Sequence, residues 1–408
     1  MRILLYSISY APEVAGSGRF NGELTEWLAK QGHQVDVITA HPYYPEWQVR
    51  PEYQGRGWFK EVKGKLTVYR TPLYVPTQVT GKTRILHELS FVANSMVHWA
   101  RALSVRYDVV IGVCPPLQVG VLPYLYSRLR SRPFIFHIQD LQVDAARNLG
   151  MIQSKWLLNL LEGIEKFILR NAYKVTSISE GMKRNILSKG VREADYFMLE
   201  NWVDVTSFQP MPVEQSYKAE LGFAPTDKIA LYAGNIGEKQ GLEVLVGAAN
   251  QLRSHTDIKI VVFGEGAARE RLQQQVAQLA LTNLQFFPIR PYEQMPGVLA
   301  MADVHLVVQK RAASDLVMPS KLTSILATGG ASIVSADAGT SLSDVIIEHN
   351  LGWSIEPEDA GILADAILEA VYSDRLPVIR RNARAYAEQH LEKEAILRRY
   401  ETMLLGIR

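Results

Sequence analysis

One cysteine, Cys114, stands in a chain of 408 residues. It excludes any disulfide within the chain and gives no sign of an oxidising compartment, so a reducing cytoplasm is the expected location. No window reaches the ~18 consecutive apolar residues of a membrane-crossing helix, which restricts membrane contact to the surface. The opening MRILLYSISYAPE has a single basic residue and alternates as a strand does, so no signal peptide is expected. The formal net charge is only +2, which argues against nucleic acid as a partner of the whole chain. No Asp-x-Asp pair occurs, and with it goes a common way of presenting two carboxylates to a divalent metal, so no metal is expected. A dinucleotide fingerprint is missing too. Gly16-Ser17-Gly18 with Gly22 follows its strand about eight residues late, with one residue too many in the spacing.

What is present is apolar material in regular alternation. Hydrophobic residues make up 47% of the chain, enough for two cores at about 100–200 residues per domain. Short apolar runs predict strands at Ile3–Ile8, Gln34–Thr39, Leu66–Thr71, Asp108–Val113, Pro133–His137 and Lys174–Ser177, with helical periodicity between them. The pattern restarts at Lys228, with strands near Ile229–Ala233, Ile258–Phe263, Leu284–Phe287, Val304–Val308 and Ala331–Val334. Between the halves lies the polar run Glu200–Asp204 with Phe208 and Pro210. The predicted fold class is α/β, two Rossmann-like doubly wound domains facing across a cleft, over residues 1–205 and 206–380. Charged helices at 381–408 are expected to return to the first domain.

Ligands of such sheets bind beyond the carboxyl ends of the strands, and the residues there are the candidates. Tyr232–Gly241, YAGNIGEKQG, reads as strand, turn and helix start. Gly234 and Gly237 let the backbone approach a ligand, and Lys239 adds charge, which suits a phosphate. A plain structural turn would read the same. Gly264-Glu265-Gly266 is a second turn of this kind. Pro319, Ser320, Lys321 and Leu322 open a further helix whose start forms a second anion site. In the first half, the loop holding Gly16 and Gly18 is expected to lean over a ligand. His137 and Asp140 end a strand, and the titration range of His137 suits acid–base work. The helices Thr83–Leu103 and Leu117–Arg132 are apolar with basic ends, a pattern that suits an anionic membrane surface. Nine Lys/Arg against two Glu between Arg56 and Arg106 read as a cationic patch.

The pieces GSGRFNGELTEWLAKQGHQVDVIT, HPYYP, HIQDLQVD, TSISEGM, ENWVD, YAGNIGEKQGL, VFGEG and LVMPSKLTSILATGG, in that order, span nearly the whole chain. Together they resemble the retaining glycosyltransferases of family 4 with GT-B architecture, most closely the colanic-acid and exopolysaccharide branch described as fucosyltransferases. The resemblance implies sugar transfer from a GDP- or UDP-linked nucleotide sugar, fucose in this branch, to a glycan or polyprenyl-diphosphate-linked acceptor, with no cofactor. It places Gly16 and Gly18 over donor and acceptor, His137 near the transferred sugar, and Lys239 on the donor phosphates. Asn235 stands where many members have Arg, and Glu265 and Arg290 border the nucleobase. The family's Glu-x7-Glu pair is altered. Ser324 takes the second position and Leu316 the first, with Asp315 one residue out of register, so Ser324 offers the ribose a neutral hydrogen bond. Lys239, with Lys321 and the N–H groups at Gly237 and Ser320–Lys321, is expected to stabilise the leaving diphosphate. The competing readings are a nucleotide-sugar epimerase or a phosphorylase on this architecture, and a non-catalytic sugar-nucleotide scaffold.

Overall fold

The computed structural model describes residues 1–13, 16–148, 152, 154–311 and 319–407; the side chains of Asn148 and Lys239 are not among the described atoms. The chain divides into two compact units, residues 1–200 with 397–408 and residues 201–396. The first is built on β1 (Arg2–Tyr6), β2 (Gln34–Ala40), β3 (Phe59–Lys63), β4 (Leu66–Thr71), β5 (Val109–Cys114), β6 (Phe134–Ile138), β7 (Lys174–Ser177) and β8 (Tyr196–Met198). They lie in the order β3-β4-β2-β1-β5-β6-β7-β8. The second holds β9 (Lys228–Ala233), β10 (Ile258–Phe263), β11 (Leu284–Phe287), β12 (Val304–Val307), β13 (Ser332–Ser335) and β14 (Gly352–Ile355), in the order β11-β10-β9-β12-β13-β14. Among these pairings only β3 with β4 is antiparallel.

Parallel sheets are covered on both faces, so their strands are apolar on both. Alternation decides which face each residue serves. Ala230 and Tyr232 of β9 face the helices Glu243–Gln251 and Ala360–Val371, whereas Ile229 and Leu231 face Lys321–Ala327 and Leu376–His390. Ile258, Ile260, Val262 and Phe263 of β10 are wholly buried, each worth about 1.5–3 kcal/mol against exposure. The consequence for function is rigidity beneath the turns that follow β9 and β10.

Three strands escaped the sequence reading, and all lie toward sheet edges. FKEVK of β3 alternates charge because an edge strand with exposed Lys resists pairing with other chains. The helix Leu376–His390 stays with the second unit, where Arg384 donates to the carbonyls of Phe208 (2.8 Å) and Ala327 (2.7 Å). Residues from Leu397 onward join the first unit, through His33 with Glu401 (2.7 Å), Arg399 with Glu200, and Phe197 with Tyr400. Part of the cationic run is partnered, while Lys60, Lys82 and Arg106 stay exposed. Buried Arg70 pairs with Glu61 (3.1 Å), Arg84 with Glu88 (3.1 Å) and Lys63 with Glu26 (3.0 Å), and Arg101 lies over the Tyr69 ring (4.3 Å).

Candidate functional site

In the second unit the turns after β9 and β10 are a single backbone-to-backbone construction. Gly234 N–H donates to Phe263 O (2.9 Å), Ile236 N–H to Glu265 O (2.8 Å) and Ala268 N–H to Ile236 O (3.1 Å). A methyl group on Gly264 would stand 2.0 Å from Gly234 O, and one on Gly266, at φ 153°, 2.4 Å from Ile236 O. Gly234 itself has φ 152°. Buried Tyr232 donates its hydroxyl to Asn235 O (2.6 Å), tying the turn to the strand below. The Asn235 amide folds over both turns, its Nδ2 2.9 Å from where a Gly237 methyl would lie and its Oδ1 2.9 Å from the corresponding point at Gly266. The glycines are thus required where two loops meet, and the loops' own polar side chains that touch the glycine positions, Asn235 and Gln240, are neutral.

Positive charge reaches this corner from elsewhere. The Nζ of Lys321 lies 3.6 Å from the centre of the Tyr232 ring and 3.1 Å from the position of a Gly234 methyl. Burial draws its amine from 10.5 down to about 7. The helix it opens, Lys321–Ala327, has seven residues, and Ser320 makes no side-chain cap; a dipole this short adds little to the lysine's own charge. Pro319 O accepts from Leu322 N–H (3.0 Å), Leu322 is buried, and Ser324 is half-buried. The Lys239 side chain, Asp315 and Leu316 fall outside the described atoms. Glu265 pairs with Arg269. Arg290 pairs with Glu220 (2.7 Å) and stacks on Tyr217 (4.4 Å), so both expected nucleobase neighbours are held in place by partners of their own.

The first unit gathers its candidates at the carboxyl ends of β1 and β6. Gly16, at φ 62°, leads into the helix Ser17–Lys30, and a methyl on Gly18 would meet Glu13 Cβ at 2.9 Å. Glu13, which sequence reasoning passed over, is buried. Its Oε1 accepts from Tyr43 N–H (2.9 Å) and Tyr44 N–H (3.0 Å) of the HPYYP segment. Burial pushes its carboxyl up to about 7, against the pull of those two N–H groups. Pro12-Glu13 just before the glycines was its only signal. Asp140 O accepts from Gln142 N–H (3.0 Å) and from the Cys114 thiol (3.8 Å).

His137 is buried, and both ring nitrogens are engaged. Nε2 faces the Gln139 amide nitrogen (2.8 Å), which can only donate, so the proton belongs on Nδ1, which donates to Thr176 Oγ1 (2.8 Å). Desolvation lowers its pKa from 6.5 to about 4. The expectation of a group titrating near neutrality is therefore corrected: at pH 7 His137 is a neutral ring that fixes geometry. A depressed histidine stabilises the fold above its ordinary pKa, and that contribution is lost as pH falls from about 6.5 towards 4. Wild type is expected to lose on the order of 3 kcal/mol more stability than His137→Gln over that window. Urea unfolding at pH 7 and pH 4.5 checks this, and equal losses would contradict it.

Comparison with known proteins accords with this geometry. The family profile "Glycosyl transferase 4-like domain" matches residues 15–202, and "Glycosyl transferases group 1" matches residues 213–390. The protein named "Putative colanic acid biosynthesis glycosyl transferase WcaI" of Escherichia coli (strain K12) is 40% identical over 413 aligned positions covering 100% of both chains. Among solved structures, sucrose-phosphate synthase from Thermosynechococcus elongatus superposes with a TM-score of 0.79 at 19% identity, over 98% of each chain. Anabaena HepE, solved with UDP and glucose, gives 0.72 at 14% identity over 100% of each.

Proposed function

Since the chain belongs to the glycosyltransferases, joining a 4-like domain to a group 1 domain, we propose that it moves a sugar from a nucleotide-diphosphate sugar to a glycan or lipid-linked saccharide during cell-surface polysaccharide synthesis. The proposed sugar is fucose, transferred from GDP-fucose with retention of configuration and without a metal ion. One observation carries this reading: the paired glycine turns after β9 and β10 bring bare backbone and the Lys321 amine to a single corner at the ends of the strands. A diphosphate needs close approach and positive charge, and needs no carboxylates.

In this reading the leaving diphosphate is neutralised by Lys321, Lys239 and the turn N–H groups, while the acceptor hydroxyl attacks C1 from the face the diphosphate leaves. The hydroxyl proton passes to a departing phosphate oxygen. His137 holds position for the transferred sugar as a neutral ring. A thermal-shift panel of GDP-, UDP- and dTDP-sugars tests the donor class, because a ligand of the folded state raises the melting temperature by mass action. GDP-sugars are expected to give the largest rise, and no rise with any of the three would count against the reading.

Peripheral contact with the inner face of the cytoplasmic membrane belongs to the same proposal. Among the described residues no helix is long and apolar enough to cross a membrane. Leu125 and Leu129 on the helix Val121–Arg130, and Trp156, Leu160 and Phe167 on the helix Lys155–Asn171, are exposed. The two helices meet where Tyr124 packs edge-on against Phe167 (5.1 Å), and Arg128 and Arg130 close the first. Exposed Leu86, Leu89, Met96 and Val97 extend the pattern to the helix Gly81–Ala102. Each basic residue at an anionic surface adds about 1 kcal/mol. Flotation with anionic vesicles is expected to recover wild type and to lose Trp156→Ser/Leu160→Ser; equal recovery would contradict it.

A further inference from the structure

Lys321 presents an amine that the described residues leave unused. Its Nζ is closed to solvent and has no hydrogen-bond partner among the described residues. Among the described residues its neighbour of favourable character is the face of Tyr232, 3.6 Å away, a contact that leaves the N–H groups of the amine without an acceptor. Buried lysines are ordinarily paired, because an isolated charge in a protein interior is costly. The turn beside it supplies no counter-charge. Gly234 and Gly237 have no side chains, Asn235 is neutral, and the Glu238 carboxylate is engaged by Arg271 (3.0 Å) and Lys310 (3.9 Å). A donor without an acceptor among the described residues, held against the backbone of Gly234, is aimed at an anion that arrives from outside.

We propose that Lys321 is the residue that receives the diphosphate of the donor, and that it takes up a proton from solvent as the anion binds and returns it when the product leaves. The proposal rests on the sugar-nucleotide reading above and deepens it. Burial is the sole resolved cause of the amine's lowered affinity for protons. Among the described residues the titratable group facing it is the Tyr232 phenol, which its own burial keeps protonated. Without ligand the amine is largely neutral above pH 7, which is how it is tolerated in an apolar setting. A diphosphate favours the ammonium form and raises its proton affinity. Uptake is therefore expected to be largest above the free amine's pKa and to fade as pH drops below it.

Isothermal titration of GDP, UDP and inorganic pyrophosphate, each in two buffers of different ionisation heat, counts the protons. Wild type is expected to take up about half a proton or more per ligand at pH 8 and close to none at pH 5.5. Lys321→Met is expected to abolish the uptake and weaken binding by roughly tenfold or more, and Lys321→Arg to bind without uptake. Nucleotide binding to wild type with no proton uptake overturns the assignment, as does unchanged affinity in Lys321→Met. The wild-type proton count decides the matter even if a variant fails to fold. Pyrophosphate binding with uptake while neither nucleotide binds overturns the sugar-nucleotide reading and leaves the lysine's role standing.

Discussion

Gly264→Ala is expected to abolish sugar transfer and to destabilise the second unit by about 3 kcal/mol, the upper end of the range for overpacking. The added methyl would lie 2.0 Å from Gly234 O, and neither atom belongs to a flexible side chain that could move aside. The loops after β9 and β10 must separate, which displaces Gly234, Asn235 and the backbone next to Lys321 together. A shift of about 1 Å at a reacting centre can cost on the order of a hundredfold in rate. Gly163→Ala is the control. Nothing lies within 4 Å of a methyl there, and in the interior of the helix Lys155–Asn171 alanine is worth about 0.5–1 kcal/mol over glycine. Thermal melting by circular dichroism and the rate of transfer read both variants. Wild-type behaviour from Gly264→Ala would mean that the two turns are not packed as described.

Lys189→Met is expected to cost about 3–5 kcal/mol, because it breaks a buried charge group by removing the lysine that pairs with both carboxylates. Lys189 lies between Asp144 and Glu165, and all three are buried. They join the helix Gln142–Asn148 and the helix Lys155–Asn171 to the end of the helix Glu180–Ser188. Burial already pushes the Glu165 carboxyl up, and Lys189 is the main opposing influence. Without the lysine, two carboxylates face each other with their repulsion uncompensated. A carboxyl whose pKa is raised by folding contributes stability at low pH and loses it as pH rises. The defect is therefore expected to be largest at pH 8 and to shrink towards pH 5 as the carboxylates take up protons. Urea unfolding at the two pH values measures this, and a defect that grows on acidification would refute the account.

The sheets were the most legible part, since a buried parallel strand must be apolar on both faces, and β4, β7, β10 and β11 begin and end where the apolar runs do. The edge strand Phe59–Lys63 was not legible for the same reason: it buries little, so its sequence reads as a polar loop. The glycine turns could be seen as turns, but their dependence on each other could not. Gly264 meets Gly234 O only because β10 lies beside β9 in the sheet, and strand order is a property of the whole fold. Charge was the least legible. Arg70 looked like part of a surface patch and is buried on Glu61, while Lys321, read as a cation beside a helix-start anion site, is desolvated over Tyr232. His137 stands at the end of its strand as its position suggested, yet burial moves its titration well below neutrality, which no local pattern encodes.

The central claim is that this glycosyltransferase takes its sugar from a nucleotide diphosphate held at the paired turns of the second unit. It is tested most directly by following a sugar labelled at C1 from GDP-, UDP- and dTDP-sugars into a lipid-linked saccharide acceptor, with the anomeric configuration of the product read by NMR. The account predicts transfer from a GDP-sugar with retained configuration by wild type and its loss in Gly264→Ala. Absence of transfer from every donor, or undiminished transfer by Gly264→Ala, would contradict it.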